Sequence, residues 1–224
     1  MSYSVDDNAY PYSSVVFVEA TWGTQTFTGS GVIVGKNDVL TASHCIYNKS
    51  LGGLADTIKV YPSYSPGLSD NVAYRPLQIL YYDTFDPDSD GAFYKGDNKA
   101  GSYAGSEVDI SLLSFDLDLS SIFGSMGLDP GFNSGSASVL GYPGKYNKRL
   151  TYDNGAISRD GIDRIYNLDS SLEVNPGNSG GPIYYDSSSG PYVVGLVSTS
   201  SWAVDLNQHI CLLYTSDAAD DTPC

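Results

Sequence analysis

The sequence predicts an all-β fold of antiparallel strands, arranged as a sandwich or a pair of barrels. Three observations carry this. Runs of β-branched and aromatic residues recur along the chain: SSVVFVEATW, TFTGSGVIVG, DVLTASH, IKVYPSY, ISLLSFD, ASVLGYP, GPIYY and YVVGLVST. They are bounded by Gly, Asn, Asp or Pro, the residues that end strands and build turns. Few windows sustain a helical period. At 224 residues the chain is long enough for one large or two small domains around a sizeable core.

Composition shifts divide the chain. Residues 1–13 read as an N-terminal extension. Residues 14–120 read as a first β-barrel with long inserted loops, and 121–210 as a second. The insertion runs from about Pro62 to Gly105 and is polar and rich in Tyr, Asp and Gly. A second break, Asp116 to Ser136, connects the halves. Residues 211–224, CLLYTSDAADDTPC, do not continue the strand-and-glycine pattern. The run CLLYTSDAAD resembles the translation of a transposase-type sequencing adapter, so this stretch reads as a non-native tail.

Charge excludes one class of partner. The net charge of -15 and pI near 4.1 argue against nucleic-acid binding. No stretch is apolar for long enough to span a bilayer. No basic start followed by an apolar run marks a secretory signal. The three cysteines, Cys45, Cys211 and Cys224, are odd in number and irregularly spaced, which is not a disulfide framework. With two of them in the doubtful tail, Cys45 is expected to be a free, buried packing residue.

Three polar residues interrupt this pattern in a suggestive order. His44 lies in TASHC, Asp109 enters the apolar run of SEVDISLL, and Ser179 sits among glycines in NPGNSGGP. Alone, each has an ordinary reading: a core or surface histidine, a strand end, a turn. Together they match a chemical need. A serine nucleophile requires a base to take its proton, an acid to hold that base in one tautomer, and donors aimed at the oxyanion that forms. The backbone N–H groups of Gly177 and Ser179 are placed to be those donors. A side chain at Gly177 would constrain the turn and crowd a substrate.

TASHC, DISLL and GNSGGP, in that order, resemble the signature blocks of the chymotrypsin-like (trypsin-like) serine proteases, over roughly Ser14 to Ile210. The resemblance implies two six-stranded antiparallel β-barrels, the active site in the cleft between them, and a closing C-terminal helix that this chain lacks. It implies His44 as general base, Asp109 as orienting acid, Ser179 as nucleophile, and Gly177 with Ser179 as oxyanion hole. GSGVIVG, GYPG at Gly141 to Gly144, and Asn178 resemble the bacterial glutamyl-endopeptidase-like branch. Animal digestive relatives carry an Asp at that last position, which ion-pairs with a freed N-terminus; Asn178 cannot. The implied product is a secreted or periplasmic serine endopeptidase acting on polypeptides, with no cofactor required for catalysis; the sequence does not reveal its oligomeric state. Two rivals stay open: a periplasmic stress protease of the chaperone type, and an inactive calcium-dependent binding module on a protease fold.

The substrate pocket and a cation are further expectations. Glutamate-specific relatives place a histidine where this chain has Val197, beside Ser198, so glutamate preference is in doubt. Glu173 falls near the base of the implied pocket, where a carboxylate would favour Arg or Lys. In the insertion, DPDSDGAFYKGD fits the spacing of a calcium loop, with Asp97 in place of the usual Glu. Asp86, Asp88, Asp90 and Asp97, with the Ala92 carbonyl, would hold a structural calcium ion.

Overall fold

The computed structural model describes residues 1–85, 101–160, 165–209 and 213. In chain order its first half forms β1 (Tyr3–Ser4), β2 (Val15–Trp22), β3 (Gln25–Val34), β4 (Asp38–Thr41), β5 (Tyr47–Asn48), β6 (Gly53–Leu54), β7 (Thr57–Pro62), β8 (Gln78–Tyr81) and β9 (Ser111–Ser114). Its second half forms β10 (Gly127–Leu128), β11 (Ser134–Gly141), β12 (Thr151–Arg159), β13 (Ile165–Leu168), β14 (Pro182–Ser187), β15 (Gly190–Val197) and β16 (Trp202–Asp205). The α-helices among the described residues are single turns, α1 (Tyr103–Ser106) and α2 (Ser120–Phe123).

Most strands assemble into two large sheets, while β5 and β6 pair with each other alone and β1 and β10 attach to the second large sheet. The first has the order β7-β2-β3-β4-β9-β8 and curls into a half-barrel. The second closes: β12-β11-β14-β15-β16-β13, with β13 pairing back onto β12, is a six-stranded ring. This is the expected pair of antiparallel six-stranded sheets, with one difference. The first sheet stays open between β7 and β8. Val60 of β7 exchanges both backbone hydrogen bonds with Tyr74, at 2.9 Å each, so the outer edge of β7 is partly taken by the segment leading into β8. That segment, expected as loop, also contains strand β8 itself.

Three apolar clusters hold this arrangement, and the pleat explains how one strand serves two of them. Successive side chains of a strand face opposite sides. In β2, Val16, Val18 and Ala20 enter the interior of the first sheet, while Val15 and Phe17 face the second barrel. In β15, a bulge at Val194, where the register with β14 shifts, resets the alternation, so Val194 and Val197 fill the second barrel while Val193 and Leu196 join the same shared cluster as Val15 and Phe17. Burial on both faces is why these strands read as unbroken hydrophobic runs. Each fully buried Val or Leu is worth about 1.5–3 kcal/mol relative to exposure.

Tyr142 is one of the two fully buried tyrosines of the shared cluster, with Tyr184. It follows β11, packs edge-on against Phe17 and Tyr64, and donates its hydroxyl proton to the Val15 carbonyl at 3.2 Å. Burial pushes its phenol pKa well above the usual range. The second barrel thereby grips the first strand of the other sheet. Tyr142→Phe is expected to cost about 1 kcal/mol of stability by loss of that hydrogen bond. Tyr142→Ala is expected to cost about 3–5 kcal/mol through the cavity it leaves. Urea titration of both variants measures the two terms.

Candidate active site

Strand register brings His44 to Asp109. Thr41, the last residue of β4, pairs with Ser111, the first of β9. One strand leaves the sheet where the other enters it, so residues just after Thr41 meet residues just before Ser111. Ser43 stitches the two: its hydroxyl donates to the Ile110 carbonyl at 2.9 Å and lies 2.8 Å from Ser111 Oγ. The next residue, His44, sits in a single 3-10 turn, Ser43–Cys45. Its Nδ1 is 2.6 Å from Asp109 Oδ2, and its backbone N–H donates to Asp109 Oδ1 at 2.9 Å. Asp109 therefore holds both the ring and the main chain of His44.

The second barrel completes the carboxylate's environment. Ser198, just past β15, donates to Asp109 Oδ2 at 2.6 Å, and Ser106 Oγ lies 2.9 Å beyond Ser198 Oγ. Asp109 is fully buried, whereas the His44 side chain is 25% exposed. Burial alone would lower the His44 pKa. The Asp109 charge and hydrogen bond, together with Cys45, outweigh it and hold the imidazole well above the ordinary histidine value.

Ser179 lies in the turn that leads into β14. Gly180 takes a left-handed φ of +77°, and a Cβ there would stand 2.3 Å from the Ser30 carbonyl oxygen. Only glycine fits this approach between the two sheets. Gly177, at φ +105°, makes the preceding bend.

Every carbonyl from Pro176 to Ser179 is anchored. Gly144 N–H donates to Pro176 O at 3.0 Å, and Ser30 Oγ to Gly177 O at 2.7 Å. Gly181 N–H donates to Asn178 O at 2.8 Å, and Ser30 N–H to Ser179 O at 2.8 Å. In a trans peptide the N–H points opposite its carbonyl. Fixing Pro176 O and Asn178 O therefore aims the N–H groups of Gly177 and Ser179. Among the described residues neither N–H donates to a protein acceptor, while those of Asn178, Gly180 and Gly181 all do. Two unspent donors beside a serine are what a developing oxyanion needs.

The remaining sequence-derived positions fall as follows. Cys45 is free and buried, and its thiol is 3.5 Å from the Ser179 carbonyl. Asn178 is buried and closes its own loop, its Oδ1 accepting from Asn175 N–H at 2.9 Å. Val197 is 1% exposed, inside the second barrel. Ser198, expected in the pocket, spends its hydroxyl on Asp109. Glu173 is engaged by its neighbours: Lys145, the Ser2 N–H at 3.0 Å, Asn175 Nδ2 at 3.1 Å and the Tyr146 hydroxyl at 3.3 Å. Asp86, Asp88, Asp90, Ala92 and Asp97 lie outside the described residues. Sequence reasoning missed Ser30 and Ser106; the serine between two glycines in TGSGV was the one available signal.

Two β-sheets, one closed and one curled, with His44 and Asp109 on one side of the junction and Ser179 on the other, define the chymotrypsin-like two-barrel class of serine protease folds. A profile of the trypsin-like peptidase domain matches residues 29–196. The chain belongs to the trypsin-like peptidase family. The glutamyl endopeptidase of Bacillus licheniformis is 26% identical over 188 residues, covering 81% of this chain and 51% of that protein. The chain thus spans about half the length of that relative. In fold it is similar to the protease Anisep from Arthrobacter nicotinovorans, with a TM-score of 0.72 at 18% identity, covering 98% of this chain and 100% of that one. It is also similar to a Glu endopeptidase, with a TM-score of 0.71 at 17% identity, covering 98% and 97%.

The Glu173 contacts generate a test of stability. Lys145 first, then the Ser2 N–H and the Asn175 amide, hold the Glu173 carboxyl at about 2 against an ordinary 4.5. A depressed carboxyl stabilises the fold above its unfolded pKa and loses that contribution as pH falls through the folded one. Glu173→Gln is expected to lower Tm slightly at neutral pH, since Lys145 is 57% exposed and solvent screens the pair. The gap from the parent should close as pH falls from about 4.5 toward 2. A pH series of thermal melts measures it.

Proposed function

We propose that this chain is a serine endopeptidase that cleaves polypeptides through a Ser179–His44–Asp109 triad and an acyl-enzyme. The observation that carries the reading is the pairing of a partly exposed His44 with a buried Asp109, across from two unspent N–H donors in the Ser179 loop. Asp109 accepts a hydrogen bond from Nδ1–H, which keeps the proton on Nδ1 and leaves Nε2 as the basic nitrogen. Ser179 Oγ attacks the scissile carbonyl carbon as its proton passes to His44 Nε2. The Gly177 and Ser179 N–H groups hold the resulting oxyanion. His44 then returns the proton to the leaving amine nitrogen and the C–N bond breaks. Water, deprotonated by the same Nε2, releases the acyl group and restores Ser179.

The family supports this over a binding module without catalysis, as does the intact order of His44, Asp109 and Ser179. Secretion fits the reading and follows from no single residue. The relative's name specifies glutamyl bonds. Here Glu173 is neutralised by Lys145, so a basic substrate side chain meets no free carboxylate at that position. The proposal therefore carries no preference for Arg or Lys.

Ser179→Ala is expected to abolish fluorophosphonate labelling and to lower casein hydrolysis by roughly 10⁴-fold or more. Parent-level hydrolysis in that variant would overturn the assignment. The base must be neutral to act, so kcat/KM should rise with pH through the His44 pKa. That midpoint should lie above the ordinary histidine value because Asp109 raises it. Asp109→Asn should move the midpoint down and lower kcat by about 10⁴-fold. Initial rates across pH on a peptide substrate decide both points.

A further inference from the structure

We propose that the Ser30 hydroxyl positions the oxyanion hole from the opposite barrel. The inference rests on the reading of Gly177 and Ser179 as oxyanion donors, and it assigns a role to a residue outside the triad. Ser30 belongs to β3 of the first sheet, in register with Phe17, and is fully buried. Its hydroxyl has one proton to give, and gives it to Gly177 O at 2.7 Å. The same oxygen accepts the Tyr142 N–H at 2.9 Å. Its backbone N–H holds Ser179 O at 2.8 Å, and Thr41 Oγ1 fixes its own carbonyl at 2.8 Å. Donor and acceptor capacity are both used.

The geometry gives this hydroxyl leverage. Gly177 has no side chain to restrict its rotation, and its φ of +105° is one that few residues adopt. The peptide before it is held through Pro176 O by Gly144, and Tyr142, two residues before Gly144, is held by Ser30 Oγ. The peptide after Gly177 is held by Ser30 Oγ directly. One oxygen therefore ties down both flanks of the Gly177 N–H. Removing it leaves a carbonyl and an N–H without their partner in a buried place, and frees the glycine to turn its N–H away from the oxyanion. Ser30 touches no reacting atom, so it is a positioning residue.

The test compares Ser30→Ala and Ser30→Cys with the parent in the full chain. The readouts are kcat, KM, Tm and affinity for a peptide aldehyde, whose hemiacetal oxygen occupies the oxyanion hole. For Ser30→Ala the expected result is kcat lower by about 10-fold or more, with KM within about twofold. Aldehyde affinity should fall in proportion to kcat/KM. A merely structural role would lower Tm without that parallel loss. A folded Ser30→Ala with parent-level kcat and aldehyde affinity overturns the proposal. If Ser30→Ala does not fold, Ser30→Cys decides, since the thiol keeps the volume but donates weakly. A fall in kcat and aldehyde affinity in that variant supports the proposal, and parent values overturn it. A parent that neither labels with fluorophosphonate nor hydrolyses peptide overturns the underlying protease reading and this inference with it.

Discussion

The contact between Ser30 and the Gly177–Ser179 loop is the constraint on which the site depends. A loop with three glycines in five residues has little intrinsic reason to hold one shape. Here its shape is imposed largely from outside, by hydrogen bonds from Ser30 and Gly144, with the Gly181 N–H closing the turn onto Asn178 O from within. The same close approach explains why Gly180 has no side chain. The loop thus trades local stiffness for anchoring, and the anchor lies on the other sheet.

That anchoring works only if the two sheets are themselves fixed relative to each other. The shared apolar cluster does this, with Phe17, Tyr142 and Tyr64 as its aromatic centre. The strands that enter it are buried on both faces, so β2 and β15 brace their own sheets and the junction at once. Polar links at the same junction, Ser198 to Asp109 and Ser30 to Ser179, are short because packing has already set the distance. His44 needs no such reach across the cleft. Its partner Asp109 comes from its own sheet, delivered by the β4–β9 register.

Much of this was legible in the residues. All eight β-branched runs named from the sequence fall on strands, because each fills at least one apolar face. The strands β8, β12, β13 and β16 were harder to see. β12 reads TYDNGAISR, and its inward positions include Thr151 and Asp153 where an apolar residue would be expected. Asp153 is tolerated inside because the Glu173 and Asn154 N–H groups and Ser2 Oγ satisfy its oxygens. No pattern within β12 announces partners so distant in sequence. The pairing of His44 with Asp109 was readable because chemistry restricts which residue types can hold an imidazole in one tautomer. The engagement of Glu173 by Lys145, and of Ser198 by Asp109, was not. Position along the chain says which loop a side chain occupies, but not which neighbour it will choose. Ser30 was hidden for the same reason, as one more small residue in a strand.

The division of labour between the sheets also bears on how the protein assembles. The anchor, Ser30, precedes Gly177 by 147 residues, most of the first barrel and more than half of the second. During synthesis the first sheet is available before the Ser179 loop emerges, so the loop meets a finished template instead of having to find its shape alone. The converse also holds. A second barrel folded without its companion would keep the Gly144 and Gly181 hydrogen bonds to Pro176 O and Asn178 O but leave the Gly177 and Ser179 carbonyls without their Ser30 donors. The arrangement around Ser179 is therefore a product of the complete junction, and a half-folded intermediate would not contain it.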